Sequence, residues 1–283
     1  MPKRSADDDS ASRKKSAASN DAERIAHAEG VLRAKTANVA AGRRGSVTCT
    51  KISGLFGVPV RVEGYLTVLP NYRHANSRNG RGFARLSPKS LGPVAHGQPG
   101  LPPATCIENI WQSLREYAFE LDAHGELTDE AVAKRRAMYM DPVPHRRMYD
   151  AATLRKKAGL RARDPLPRPV GARYIRADGS PAFLSYVESR FLYCHWMETL
   201  AKRESEWVQL QALVDSGCNV NISGYDGYTS EAPFYEQYVD ETRPFGHEKV
   251  IEAMLSIPDP ANYPWNCYAR AHPALYEGLV LLV

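Results

Sequence analysis

The sequence predicts a single mixed domain of α/β or α+β type, residues 45–283, behind a disordered charged tail, residues 1–44. Three observations carry this. The 283 residues are 43% hydrophobic and 24% charged, ordinary for a chain with one sizeable core. A short apolar stretch at 218–223 lies between two stretches of helical period, and strand, loop and helix in that order make an α/β unit. The first 44 residues hold no Phe, Tyr or Trp and are rich in Ala, Ser, Asp, Lys and Arg, too polar to order themselves by burial.

The elements are expected in this order. Within the tail, Ala22 to Lys35 has loose helical spacing through Ile25, Val31 and Leu32. Ser46 to Ile52 alternates as a strand does. Val58, Val60 and Val62, then Tyr65, Thr67 and Leu69, continue the alternation and predict a strand or hairpin pair. Asn71 to Gly82 reads as loop. Leu86 to Pro103 is rich in Pro and Gly and reads as a long ordered loop or lid. Thr105 to Leu121 carries an apolar stripe at helical spacing, with Thr105 as N-cap and Glu108 three residues on, as in a capping box. A second helix spans Asp129 to Tyr139. The stretch Arg146 to Arg173 is basic and broken by Pro165, Pro167 and Pro169. Pro181 to Lys202 predicts a helix apolar nearly all round, which belongs in the middle of a domain. Glu204 to Ser216 is a helix ended by Gly217, Cys218 to Ser223 a strand, and Gly246 to Leu255 a helix. The segment 258–283 has no assignable period.

Charge and cysteine usage limit the function. Lys134 to Arg176 holds thirteen Lys or Arg against three acids, whereas Glu204 to Pro260 holds two basic residues against eleven acids. The basic segment has the charge density of a phosphate-binding strip. The five cysteines are scattered without zinc-ribbon spacing, so no metal site is expected and thiols in a reducing, intracellular compartment are. Lys3-Arg4 with Arg13-Lys14-Lys15 has the form of a two-part nuclear import signal. No apolar run nears the roughly 18 residues of a membrane span, so no membrane partner is expected. Walker A, Gly-x-Gly-x-x-Gly, Gly-x-Ser-x-Gly and His-Glu-x-x-His motifs are absent, and no cofactor is implied.

Three constellations could carry chemistry. Glu108, Gln112 and Arg115 share one stripe at the edge of an apolar helix face. There a carboxylate can be half-buried and tuned toward acid–base work, although it can equally serve as a cap. Gly224-Tyr225-Asp226-Gly227 follows a strand and Gly246-His247 opens a helix, so both fall at the carboxyl edge of a sheet, where ligands bind in open α/β folds. Asp226 there can hold a ribose hydroxyl or one tautomer of His247, and the helix start can hold a phosphate. Asp141 to Arg147, stiffened by Pro142 and Pro144, can present Arg146 and Arg147 to a phosphate. A fourth group, Tyr186, Glu188, Arg190, Tyr193, His195 and Trp196, reads as a structural network.

The stretch Leu86-Ser87-Pro88, Leu91, then Glu108-Asn109-Ile110-Trp111-Gln112, resembles the opening of the NADAR family: a strand-loop segment containing Ser or Pro, then a helix carrying Glu-x-x-x-Gln. The resemblance spans residues 86–115. It implies an N-glycosidase acting on riboflavin-pathway intermediates or ADP-ribosylated guanine, with Glu108 in the active site and Gln112 as the second matching position. The chain as a whole resembles a group of proteins of large DNA viruses and bacteria. The shared features are a Tyr-Ile-Glu-Ala-Arg-like helix, here Tyr186-Val187-Glu188-Ser189-Arg190, and Gly-His-x-x-Val, here Gly246 to Val250.

The expectation is therefore a protein that processes a nucleotide or ADP-ribose-type ligand by cleaving an N-glycosidic bond. Glu108, Gln112 and Asp226 are the catalytic candidates. Arg115, Arg146, Arg147, Gly246 and His247 are the groups for a ribose-phosphate partner. The alternative is a nonenzymatic nucleic-acid-binding or virion-associated protein that uses Lys134 to Arg176.

Overall fold

The computed structural model describes residues 6–52, 59–71 and 80–281, with side chains from residue 21 onward. Among the described residues, two sheets and ten α-helices mix in one body, as the sequence predicts. The first sheet is parallel, in the order β1-β7-β2-β3: Val47–Lys51, Val220–Gly224, Leu66–Leu69 and Arg81–Gly82. The second is antiparallel, in the order β4-β5-β6: Arg115–Glu116, Gly171–Ile175 and Pro181–Leu184.

The strand expected from Cys218 onward is β7. All five of its residues are buried, as a central parallel strand requires. It lies between β1 and β2, so of the strand or hairpin pair expected here the strands form without pairing with each other. Both strands pair in parallel with β7 instead. Val58, the first residue of that alternation, lies outside the described residues. Of the predicted loop 71–82, Arg81–Gly82 is the edge strand β3 and residues 72–79 lie outside the described set.

Helix α1 spans Ala6–Ala40 and includes the stretch Ala22 to Lys35, whose spacing is loosely helical. Its C-terminal half is held by other elements. The Asn38 amide donates to the carbonyl of Gly217 and to the Asn219 side chain, 2.9 and 2.8 Å away, and Arg61 pairs with Glu23. A segment too polar to fold alone is ordered here by polar contacts with the turn before β7. Lys3 and Arg4, and the side chains of Arg13, Lys14 and Lys15, lie outside the described residues.

The helix predicted over 105–121 is α2, Ile107–Leu114, and it stops earlier. Cys106 is its N-cap, and Thr105 instead donates to the carbonyl of Asp141, 2.6 Å away. Arg115 turns extended because Arg115–Glu116 is pulled into the antiparallel sheet against Gly171–Ala172. Helix α3, Asp129–Met140, and α4, Ala151–Lys157, follow with Thr128 and Asp150 as N-caps.

The apolar helix predicted from Pro181 begins at Tyr186. Its first residues form β6, and Ser185 with Glu188 makes a capping box at the true start of α5, Tyr186–Ala201. Helix α5 is the hub, contacting α2, the antiparallel sheet, α8 and α9. Helix α6, Ser205–Asp215, leads into β7. Helix α7, Phe234–Val239, and α8, His247–Ser256, follow, and α8 packs on β1 and β7. The unassigned C-terminal segment forms α9, Pro264–Ala271, and α10, Pro273–Tyr276. Among the described residues no helix is long and apolar enough to cross a membrane.

Candidate active site

A cavity of about 640 Å³ opens at the carboxyl edge of the parallel sheet. Its floor follows directly from the strand ends. Lys51 and Ile52 come off β1, Asn71 off β2, and Tyr225 and Asp226 off β7. Loop 87–89, α2, the segment 146–147, α5 and the N-terminus of α8 make the walls. All eight residues singled out in the sequence line this one cavity: Glu108, Gln112, Arg115, Arg146, Arg147, Asp226, Gly246 and His247.

Glu108 and Gln112 are one helical turn apart, and the buried Gln112 amide donates to Glu108 Oε1 at 2.9 Å. Glu108 is therefore not a helix cap but an oriented carboxyl in the cavity wall. Burial pushes its carboxyl above the ordinary glutamate range, against the bond from Gln112 and the charges of Lys89, His247 and Arg115. Arg115 stays on the same side although α2 has ended, its guanidinium 5.4 Å from the Trp111 ring.

Arg146 and Arg147 are exposed at the rim. The segment that carries them is pinned by Asn109, fully buried on α2. The Asn109 amide donates to the carbonyls of Asp141 and Val143, and its oxygen accepts from the backbone N–H of His145. The ring of His145 meets Asp141 at 2.5 Å.

Across the cavity the wall is acidic. Asp226 is exposed just past β7, whereas Glu248, in the first turn of α8, is fully buried. Two glycines make room for it. A β-carbon on Gly224 would lie 1.7 Å from Glu248 Oε1. One on Gly246 would lie 3.1 Å from Asp226 Oδ2 and 3.2 Å from Glu248 Oε2. His247 Nδ1 is 3.2 Å from Glu248 Oε2, yet neither oxygen of Glu248 has a hydrogen-bond partner. Burial, with Asp226 adding to it, raises the Glu248 carboxyl above the ordinary range.

Helix α5 presents Tyr186, Arg190 and Tyr193 to the same space, at positions i, i+4 and i+7. Tyr193 feels the negative charges of Glu108, Glu248 and Asp226. Burial first, then those charges, keep that phenol protonated. The structural-network reading fits Arg190, whose guanidinium donates to the carbonyls of Tyr238, Asp240 and Arg243 and so fixes the approach to α8. It does not describe Tyr193.

Sequence reasoning missed Glu248, Tyr193 and Lys89. An acid in a first helical turn reads as a complement to the helix dipole. Only the burial of His247, Glu248, Lys249 and Glu252 on a helix walled in all round shows otherwise. The basic segment is partly consumed by the fold. Arg135 pairs with Glu120, Arg173 with Glu116 and Glu126, and Lys157 with Glu130. Comparison with protein-family models, curated proteins and solved structures finds no match to the chain.

Proposed function

We propose that the cavity binds a nucleotide or ADP-ribose-type ligand and that the protein hydrolyses its N-glycosidic bond. The observation that carries this is the polarity of the one cavity. Lys89, Arg115, Arg146 and Arg147 lie on the α2 side, and Asp226 and Glu248 lie at the start of α8. Glu108, partly buried on α2 and raised by that burial, is within reach of the fields of Lys89, Arg115 and His247. The aromatic rings of Trp111, Tyr186 and Tyr193 line the same space and offer faces for a base.

In this reading phosphate is held by Arg146 and Arg147, in the manner suited to guanidinium groups. Gly246 and His247 contribute wall rather than phosphate binding, because an anion at the start of α8 would meet Asp226. Asp226 orients the ribose. As the bond from C1′ to the base nitrogen breaks, positive charge grows on the sugar and the Asp226 carboxylate stabilises it. Glu108, oriented by Gln112, delivers a proton to the departing base and recovers one from the water that adds to C1′. The NADAR resemblance of residues 86–115 points to the same glutamate.

A second reading has one observation in its favour. Lys156, Arg161, Arg163 and Arg168 remain exposed around α4, a surface suited to a nucleic-acid or virion partner. We place the protein's action inside cells, possible nuclear or virion addresses included, on the strength of five free cysteines, four of them buried.

The test is a thermal-shift series with ADP-ribose, NAD, riboflavin precursors, nucleotides and short DNA at low and moderate salt. The proposal expects a salt-resistant rise in melting temperature with one ribose-containing ligand, lost in Arg146→Ala. A rise with DNA alone, vanishing with salt, would favour the second reading and overturn the first.

A further inference from the structure

Glu248 is the most unusual side chain of the cavity wall. Its carboxyl group is enclosed, and no donor satisfies either oxygen. A buried ionised carboxylate without hydrogen bonds is far costlier than a neutral carboxyl group. Its surroundings do not compensate. From α8 it faces His247, from the loop after β7 Asp226, from β1 the buried Cys49, and from α5 the phenol of Tyr193. Only His247 can bring positive charge. The backbone N–H groups of Glu248 itself and of Asp226 favour its ionised form, but less than burial opposes it. Over Gly246, one oxygen of Glu248 and one of Asp226 close on a single point, at 3.2 and 3.1 Å from where a β-carbon would stand. Two carboxylates that border one point, one exposed and one enclosed, repel each other when both are ionised.

We propose that Asp226 and Glu248 act as a coupled pair in which the enclosed Glu248 carboxyl keeps its proton beside Asp226. Glu248 is then a positioning residue. It leaves Asp226 as the exposed carboxyl at the mouth, free to receive a sugar hydroxyl. That catalytic meaning rests on the N-glycosidase reading, whereas the pair itself does not. The rise that burial imposes on Glu248 agrees with it.

The test is a carbon-13 NMR titration of the full chain labelled at glutamate and aspartate carboxyl carbons, in wild type, Glu248→Gln and Asp226→Asn. A glutamate signal that is lost in Glu248→Gln should titrate well above the ordinary range. In Asp226→Asn, an exposed substitution that does not endanger the fold, the same signal should titrate lower by about one pH unit or more. The absence of any raised glutamate midpoint that Glu248→Gln removes, or such a midpoint left in place by Asp226→Asn, overturns the pair. If the pair titrates as expected while no nucleotide binds, the N-glycosidase reading falls and the pair stands.

Discussion

Gly224→Ala tests the wall of the cavity at its tightest point. The new β-carbon would lie 1.7 Å from Glu248 Oε1, 2.4 Å from Cδ and 2.5 Å from Cγ. All three atoms belong to a side chain with no exposed surface, on a helix packed against β1 and β7. The carboxyl must leave its place, or strand and helix must part. Overpacking of this kind costs about 1–3 kcal/mol. For a chain this long that lowers the melting temperature by a few degrees. Because the clash is with one side chain, Glu248→Ala should remove it. The double variant should regain about 1 kcal/mol or more over the sum of the two single changes, since the groups touch. Urea and thermal unfolding of all four proteins measure this. Effects that add to within about 0.5 kcal/mol would refute the packing of Glu248 under Gly224.

Other perturbations separate the site from its supports. Glu248 holds a raised carboxyl in the fold, so the folded chain keeps a proton that the unfolded chain releases above the ordinary value of 4.5. Its contribution to stability must therefore fall as pH rises from there through the folded value. The melting temperature of wild type minus that of Glu248→Gln should drop across that window, and a flat difference would contradict the assignment. Lys249→Met leaves Glu252 buried without its ammonium partner and should cost about 3–5 kcal/mol, most of it recovered in Lys249→Met/Glu252→Met, as read by urea unfolding. Arg190→Ala removes the donors to three backbone carbonyls before α8. It should destabilise the chain by several kcal/mol and abolish ligand-induced thermal shifts. Arg147→Ala, at the exposed rim, should leave stability within about 0.5 kcal/mol yet weaken a phosphate-bearing ligand about tenfold in calorimetry.

The parts of the fold that were legible in the sequence are those set by local period. Strands β1 and β7 and helices α3, α6 and α8 fall where alternation, caps and apolar stripes put them, because those patterns act within a few residues. Pairing was not legible. That β7 would enter between β1 and β2, or that Arg115–Glu116 would leave a helix for a sheet, depends on partners 55 to 173 residues away. The anchoring of α1 was not legible for the same reason: Asn38 finds its partners at Gly217 and Asn219. The positions of the site residues at a strand end and two helix edges were readable from spacing. Glu248 was not, because its meaning comes from two glycines on separate elements that clear space for it.

The measurement closest to the central claim is base release from ribose-containing ligands, followed by chromatography, for wild type and Glu108→Gln side by side with their thermal shifts. The account predicts that wild type releases the free base from at least one ligand that raises its melting temperature. Glu108→Gln, which keeps the shape of the side chain, should still bind that ligand and release base at least about a hundredfold more slowly. Base release by Glu108→Gln at the wild-type rate, or a ligand that binds wild type and is returned intact, would contradict it.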